Sequence, residues 1–177
     1  MLTPVLVLLV FHGVLGGADV LINHELRERL PSRLSARPEQ FLHGARELMF
    51  ALIFGGLAWL EWGGLLVWLL VAIVLTEFSI SLTDTLLEDR TRPLPALERS
   101  MHVVLLVNFG AYNALLVPVL MEWHSLPTGF RIVHHGLLTW LLSVLSLAAF
   151  AWCLRDWLSY KSLGKRLHSE RLASAAG

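Results

Sequence analysis

The chain has 177 residues, 55% of them hydrophobic and only 16% charged, and its 14 basic and 14 acidic residues cancel to a formal net charge of zero. With a mean hydropathy of +0.62, this excludes an ordinary soluble domain and suits a small polytopic membrane protein, with no nucleic-acid partner expected. The single cysteine, Cys153, excludes an internal disulfide and any Cys-rich metal centre.

Five runs are long enough to cross a bilayer as helices: about Leu2–Leu26, Gln40–Leu60, Leu65–Leu87, Leu94–Leu120 and Phe130–Leu154. The first lacks the basic n-region of a signal peptide and reads as a retained helix. The predicted fold class is an all-α polytopic helix bundle. It forms one transmembrane domain over residues 1–158, followed over 159–177 by a short surface helix that frays into a cytoplasmic tail. Arg27, Arg29, Arg33 and Arg37 lie between the first two helices, Arg90, Arg92 and Arg99 between the third and fourth, and Arg155, Lys161, Lys165, Arg166 and Arg171 after the fifth. The positive-inside rule then sets the N-terminus outside and the C-terminus in the cytoplasm, as in a bacterial-type inner membrane.

The polar residues inside these runs are not scattered. In the third helix Glu77, Ser81, Asp84 and Glu88 follow at spacings of four, three and four, so they share one face. An ionisable group in hydrocarbon costs about 2.5–3.5 kcal/mol by insertion scales and marks function by default. The first helix ends on the same side with Asp19, Asn23 and His24, the second begins there with His43 and Glu47, and the fourth with Glu98 and His102. His43 with Glu47, and Glu98 with His102, are each four apart and converge from one helical face. Asp19, His43, Glu47, Glu77, Asp84, Glu98 and His102 are therefore the expected metal ligands, with His12, Asn23 and His24 as weaker candidates. Bridging carboxylates and terminal imidazoles describe a dinuclear site, and a nitrogen–oxygen donor set suits iron first, then manganese or zinc.

Other polar residues have plainer readings. Glu39 follows Pro38 in a first helical turn, where an acid is favoured anyway, and receives no function. Glu88 and Asp89 read as solvated partners of Arg90 or Arg92. His24 and Glu25 open HELRE, which departs from a zincin motif at Glu28. His135, Thr139, Ser143 and Ser146 form a stripe suited to interhelical hydrogen bonds, and Gly13, Gly16, Gly17, Gly55 and Gly56 to close helix packing. Trp59, Trp62 and Trp123 at one boundary and Trp152 and Trp157 at the other form an interfacial belt.

The string LERSMH, residues 97–102, resembles the glutamate-then-histidine pattern of di-iron carboxylate proteins such as alternative oxidases, although their spacing is Glu-x-x-His and Glu98 and His102 are separated by three residues. The resemblance implies dioxygen chemistry at two irons. The HxxxH and HxxHH clusters of membrane desaturases are missing, and only the dipeptide His134–His135 is similar.

The leading expectation is a membrane di-metal oxidoreductase that hydroxylates or desaturates a lipid-soluble substrate, aided by an electron donor. Arg46, Arg90, Arg92 and Arg99 would form a basic rim for the substrate headgroup, and membrane lipids or a second copy of the chain are further partners. No residue is assigned as catalytic. The alternatives are a proton- or cation-coupled transporter using the intramembrane acids, a zinc-dependent lipid hydrolase, and a haem protein with His43 and His102 as axial ligands.

Overall fold

The computed structural model describes residues 2–91 and 93–175. The fold is 87% helical, and among the described residues five helices are long and apolar enough to cross a membrane. These are α1 (Leu2–Asp19), α2 (Arg37–Trp59), α3 (Val67–Thr91), α4 (Ala96–His124) and α5 (Leu137–Ala175). Arg92, one of the expected headgroup residues, lies outside the described residues.

Three features depart from expectation. Leu60–Gly63 (β1) and Gly129–Ile132 (β2) are paired as an antiparallel ribbon, in the register Leu60 with Ile132 and Gly63 with Gly129. Phe130 to Ile132 therefore belong to a strand, and the fifth helix starts at Leu137. Glycine is required where the ribbon closes: Gly64 has a φ of +59°, and a side chain there would collide with Thr128. α5 also runs unbroken to Ala175, so the tail is continuous with it and is not a separate surface helix. Gly164, inside that stretch, packs on the Arg37 guanidinium, which also lies over the Tyr160 ring. Lastly, α1 continues past Asp19 as a wider, π-helical segment from Val20 to Arg27.

α2 is the central helix, packed along α5 on one side and α3 on the other, while α1 pairs with α4. The half nearest the ribbon is filled by Leu6, Leu9, Ile53, Leu57, Leu116 and Leu142, all essentially inaccessible. Such a half is held by van der Waals contact and by hydrogen bonds between helices. The predicted stripe on α5 supplies the second: Thr139 Oγ1 donates to Ala58 O (3.3 Å), Ser146 Oγ to Ala51 O (2.7 Å), and Ser143 Oγ accepts from Trp59 Nε1 (2.8 Å).

The glycines divide. A Cβ on Gly13 would lie 2.8 Å from Leu145 Cδ1 and 3.1 Å from Phe54 Cζ, whereas Gly16 and Gly17 have nothing within 4 Å among the described residues. Gly13 and its counterparts on α2 are thus packing glycines, while Gly16 and Gly17 border open space. Gly13→Leu is expected to destabilise the bundle by about 1–3 kcal/mol, the usual effect of overpacking, and Gly16→Ala not at all. Unfolding in detergent checks both, and equal losses would contradict the packing described.

Candidate metal centre

The end of the bundle opposite the ribbon gathers its polar side chains. Asp19 and His24 come from α1 and its extension, Glu39 and His43 from α2, Asp84 and Glu88 from α3, and Glu98 and His102 from α4. All but His102 are buried.

The helix geometry explains how each arrives. Glu39 and His43 are four apart on one face of α2, as are Asp84 and Glu88 on α3 and Glu98 and His102 on α4. His24 is five residues after Asp19, and in an α-helix five residues end about 140° off the starting face. The wider π-helical turn returns His24 to the side of Asp19, with its Nε2 3.7 Å from Asp19 Oδ2.

Two overlapping sets of four side chains could each hold a metal ion, with one ligand atom per residue and all of these within 4.8 Å of one another. One set is His24, Glu39, His43 and Glu88; the other is His24, Glu88, Glu98 and His102. Glu88 faces both: Oε1 lies 3.8 Å from His43 Nε2, and Oε2 lies 3.5 Å from His102 Nδ1. His24 stands between them, with Nδ1 3.2 Å from His43 Nδ1 and Nε2 3.4 Å from Glu98 Oε1. Two nitrogens about 2.0–2.1 Å from one tetrahedral ion would lie about 3.3–3.4 Å apart, close to that Nδ1···Nδ1 distance.

A carboxylate also flanks each outer histidine. Asp84 Oδ2 lies 3.1 Å from His43 Nε2 and accepts from Arg46 Nη1 at 2.9 Å. Asp19 Oδ2 lies 3.0 Å from His102 Nε2, and its Oδ1 accepts from Asn23 Nδ2 at 2.6 Å. This is how carboxylates that orient ligating histidines are arranged.

The expected ligands thus divide. His43, Glu98 and His102 lie in the two sets, and so does His24, the weaker candidate. Asp19 and Asp84 stand behind histidines, and Asn23 behind Asp19. Glu47 and Glu77 lie outside both sets, as does His12, whose Nδ1 is 3.2 Å from Asn108 Nδ2 and whose ring lies tilted against Phe50. Two readings are corrected. Glu88 is 1% exposed rather than solvated, and Glu39 is 4% exposed and faces the cluster. Their signal is present in the sequence, since Glu88 continues the α3 stripe and Glu39 precedes His43 by one turn. Among the arginines, Arg46 is turned inward to Asp84, whereas Arg90 and Arg99 are exposed, with Arg99 Nη2 3.8 Å from Asp89 Oδ1.

At the opposite end, His135 precedes α5 and is held below the usual histidine value, first by partial burial and then by His134. It therefore stays neutral at physiological pH.

A cavity of about 360 Å3 adjoins the cluster and is lined by all five helices. Asp19 and His102 form part of its wall, so it reaches the second set. The rest combines Glu47, Glu77 and Arg46 with Phe50, Phe109 and Trp152. Leu82 and Leu106, on α3 and α4, line it too and are half exposed on the outer surface.

The chain matches no protein-family model, no curated protein and no solved structure.

Proposed function

We propose that this chain is an integral membrane metalloprotein whose dinuclear histidine–carboxylate centre oxidises a lipid-soluble substrate. The observation that carries the proposal is Glu88, one carboxylate whose two oxygens face two different histidines on two different helices. In this reading Glu88 bridges the ions, His43 and Glu39 complete one side, and Glu98 and His102 the other. Asp84 and Asp19 orient the histidines, as carboxylates behind metal-bound imidazoles do. Donors of nitrogen and oxygen alone favour iron or manganese for oxidation, with zinc and hydrolysis as the alternative.

The membrane setting is supported by the apolar outer faces of the five helices, where Val7, Leu52, Trp68, Leu75, Val107 and Leu147 are exposed. The basic loops favour a centre in the cytoplasmic half with the N-terminus outside, as expected for a bacterial-type inner membrane. An electron donor would approach from that side, and a second copy of the chain is a further candidate partner.

Elemental analysis of the detergent-purified protein tests the proposal. About two equivalents of iron or manganese are expected, as the ligand count implies. Zinc would move the reaction to hydrolysis, and a metal-free protein after growth in metal-replete medium would overturn the centre.

A further inference from the structure

The cavity contains polar groups that the metal sets do not use. Glu77 is 1% exposed, and its Oε1 accepts from Ser81 Oγ at 2.5 Å, while Oε2 has no hydrogen-bond partner among the described residues. Glu47 is also buried, and its Oε2 is likewise without one. Both residues line the cavity, and so does Trp152, whose indole Nε1 is a donor in the same condition. Leaving a buried polar atom unpaired costs about 1–3 kcal/mol. The atoms themselves lie just beneath the wall, but all three residues line one cavity, so a turn of each side chain would offer its unpaired atom to an occupant.

The same groups restrict what the occupant is. An anionic head would meet Asp19, Glu47 and Glu77, while the nearby guanidinium of Arg46 is already engaged by Asp84. A hydroxyl both donates and accepts, and so answers carboxylate oxygens and an indole N–H together. Phe50, Phe54, Phe78, Phe109 and Leu145 make the rest of the wall apolar. A volume near the low end of the usual range of about 300–1,000 Å3 suits a single tail rather than a two-chain lipid. The tail has a way out between α3 and α4, where Phe78, Leu82 and Leu106 line the cavity and also reach the outer surface.

We infer that this cavity binds a single-tailed, membrane-soluble alcohol, its hydroxyl held by Glu47 and Glu77 beside the metal centre. The inference rests on the membrane reading of the bundle and names the substrate class of the proposed enzyme, but it does not depend on which metal is bound.

The test is photo-cross-linking in nanodiscs with three probes sharing one diazirine-bearing alkyl chain: the alcohol, its methyl ether and the corresponding amine. Labelled residues are mapped by mass spectrometry, and metal content is measured on the same samples. The alcohol is expected to label the cavity walls on α1, α3 and α4 about tenfold more than the ether, the worth of about one buried hydrogen bond. Gly16→Leu, which places a side chain in open space at the cavity wall, should abolish labelling and keep the metal. Glu47→Leu and Glu77→Leu should lower the alcohol to the level of the ether. Equal labelling by alcohol and ether, unchanged labelling in Gly16→Leu, or a preference for the amine would overturn the inference. Selective alcohol labelling in a protein without metal would support the inference and count against the metal centre alone.

Discussion

Glu88→Ala is expected to empty both metal positions at once, whereas Glu39→Ala and Glu98→Ala each empty one. The difference follows from geometry: Glu88 belongs to both candidate sets, Glu39 only to the set with His43, and Glu98 only to the set with His102. A bridging carboxylate holds two like charges together, so its loss removes a ligand from each ion and exposes each to the other's repulsion. Metal content, measured after gel filtration in detergent, should therefore fall to near zero for Glu88→Ala and by about half for the other two, as the ligand count requires. The pattern distinguishes a dinuclear centre from a mononuclear one, where Glu88→Ala and only one of Glu39→Ala and Glu98→Ala would lose the metal. If Glu88→Ala keeps both ions, the bridge assigned to it is wrong, and the carboxylates nearest His43 and His102 would have to be sought in Asp84 and Asp19. Folding is monitored in parallel by helicity, because a variant that fails to insert would lose metal for an uninformative reason.

The part of the molecule legible in its sequence is the part governed by short-range periodicity. Apolar runs mark the five helices, and spacings of four draw His43, Glu98 and His102 towards one end of the bundle. What is not legible depends on local departures from the ideal α-helix or on tertiary context. His24 looks peripheral because a spacing of five from Asp19 puts it on another face, and only the π-helical turn over Val20–Arg27 brings it back. Glu39 and Glu88 sit at helix ends, where an acid beside Pro38 or before Asp89 and Arg90 has an ordinary local explanation; their burial comes from neighbouring helices that the local pattern does not report. The ribbon leaves little trace because its strands are only four residues each and contain Gly63 and Gly129. The full length of α5 is hidden because hydropathy ends near Leu154 while helical hydrogen bonding does not.

Arg46→Leu should be among the most destabilising substitutions in the chain, by about 3–5 kcal/mol, because it leaves a buried carboxylate without its cation. Asp84 is 0% exposed and Arg46 Nη1 lies 2.9 Å from its Oδ2. The Arg46 side chain is itself only 19% exposed, so solvent screens the pair far less than it would a surface ion pair. The cost belongs to the stranded charge rather than to lost attraction, and this yields a second expectation. Asp84→Asn in the Arg46→Leu background should recover more than half of the loss, since the amide is neutral and its oxygen can still face His43 Nε2. The two sites touch, so their effects should be strongly non-additive. Asp84→Asn alone leaves the Arg46 guanidinium without its anion and should also destabilise, by less than Arg46→Leu because Arg46 is the more exposed partner. It should weaken metal binding on the His43 side by about 10–100-fold, as removal of an orienting carboxylate does. Unfolding in mixed SDS–detergent micelles reads the stability and metal titration the affinity. A loss below about 1 kcal/mol in Arg46→Leu would mean that Asp84 is wetted like a surface group. The inward turn of Arg46, on which both the orientation of His43 and the polar wall of the cavity depend, would then have to be abandoned.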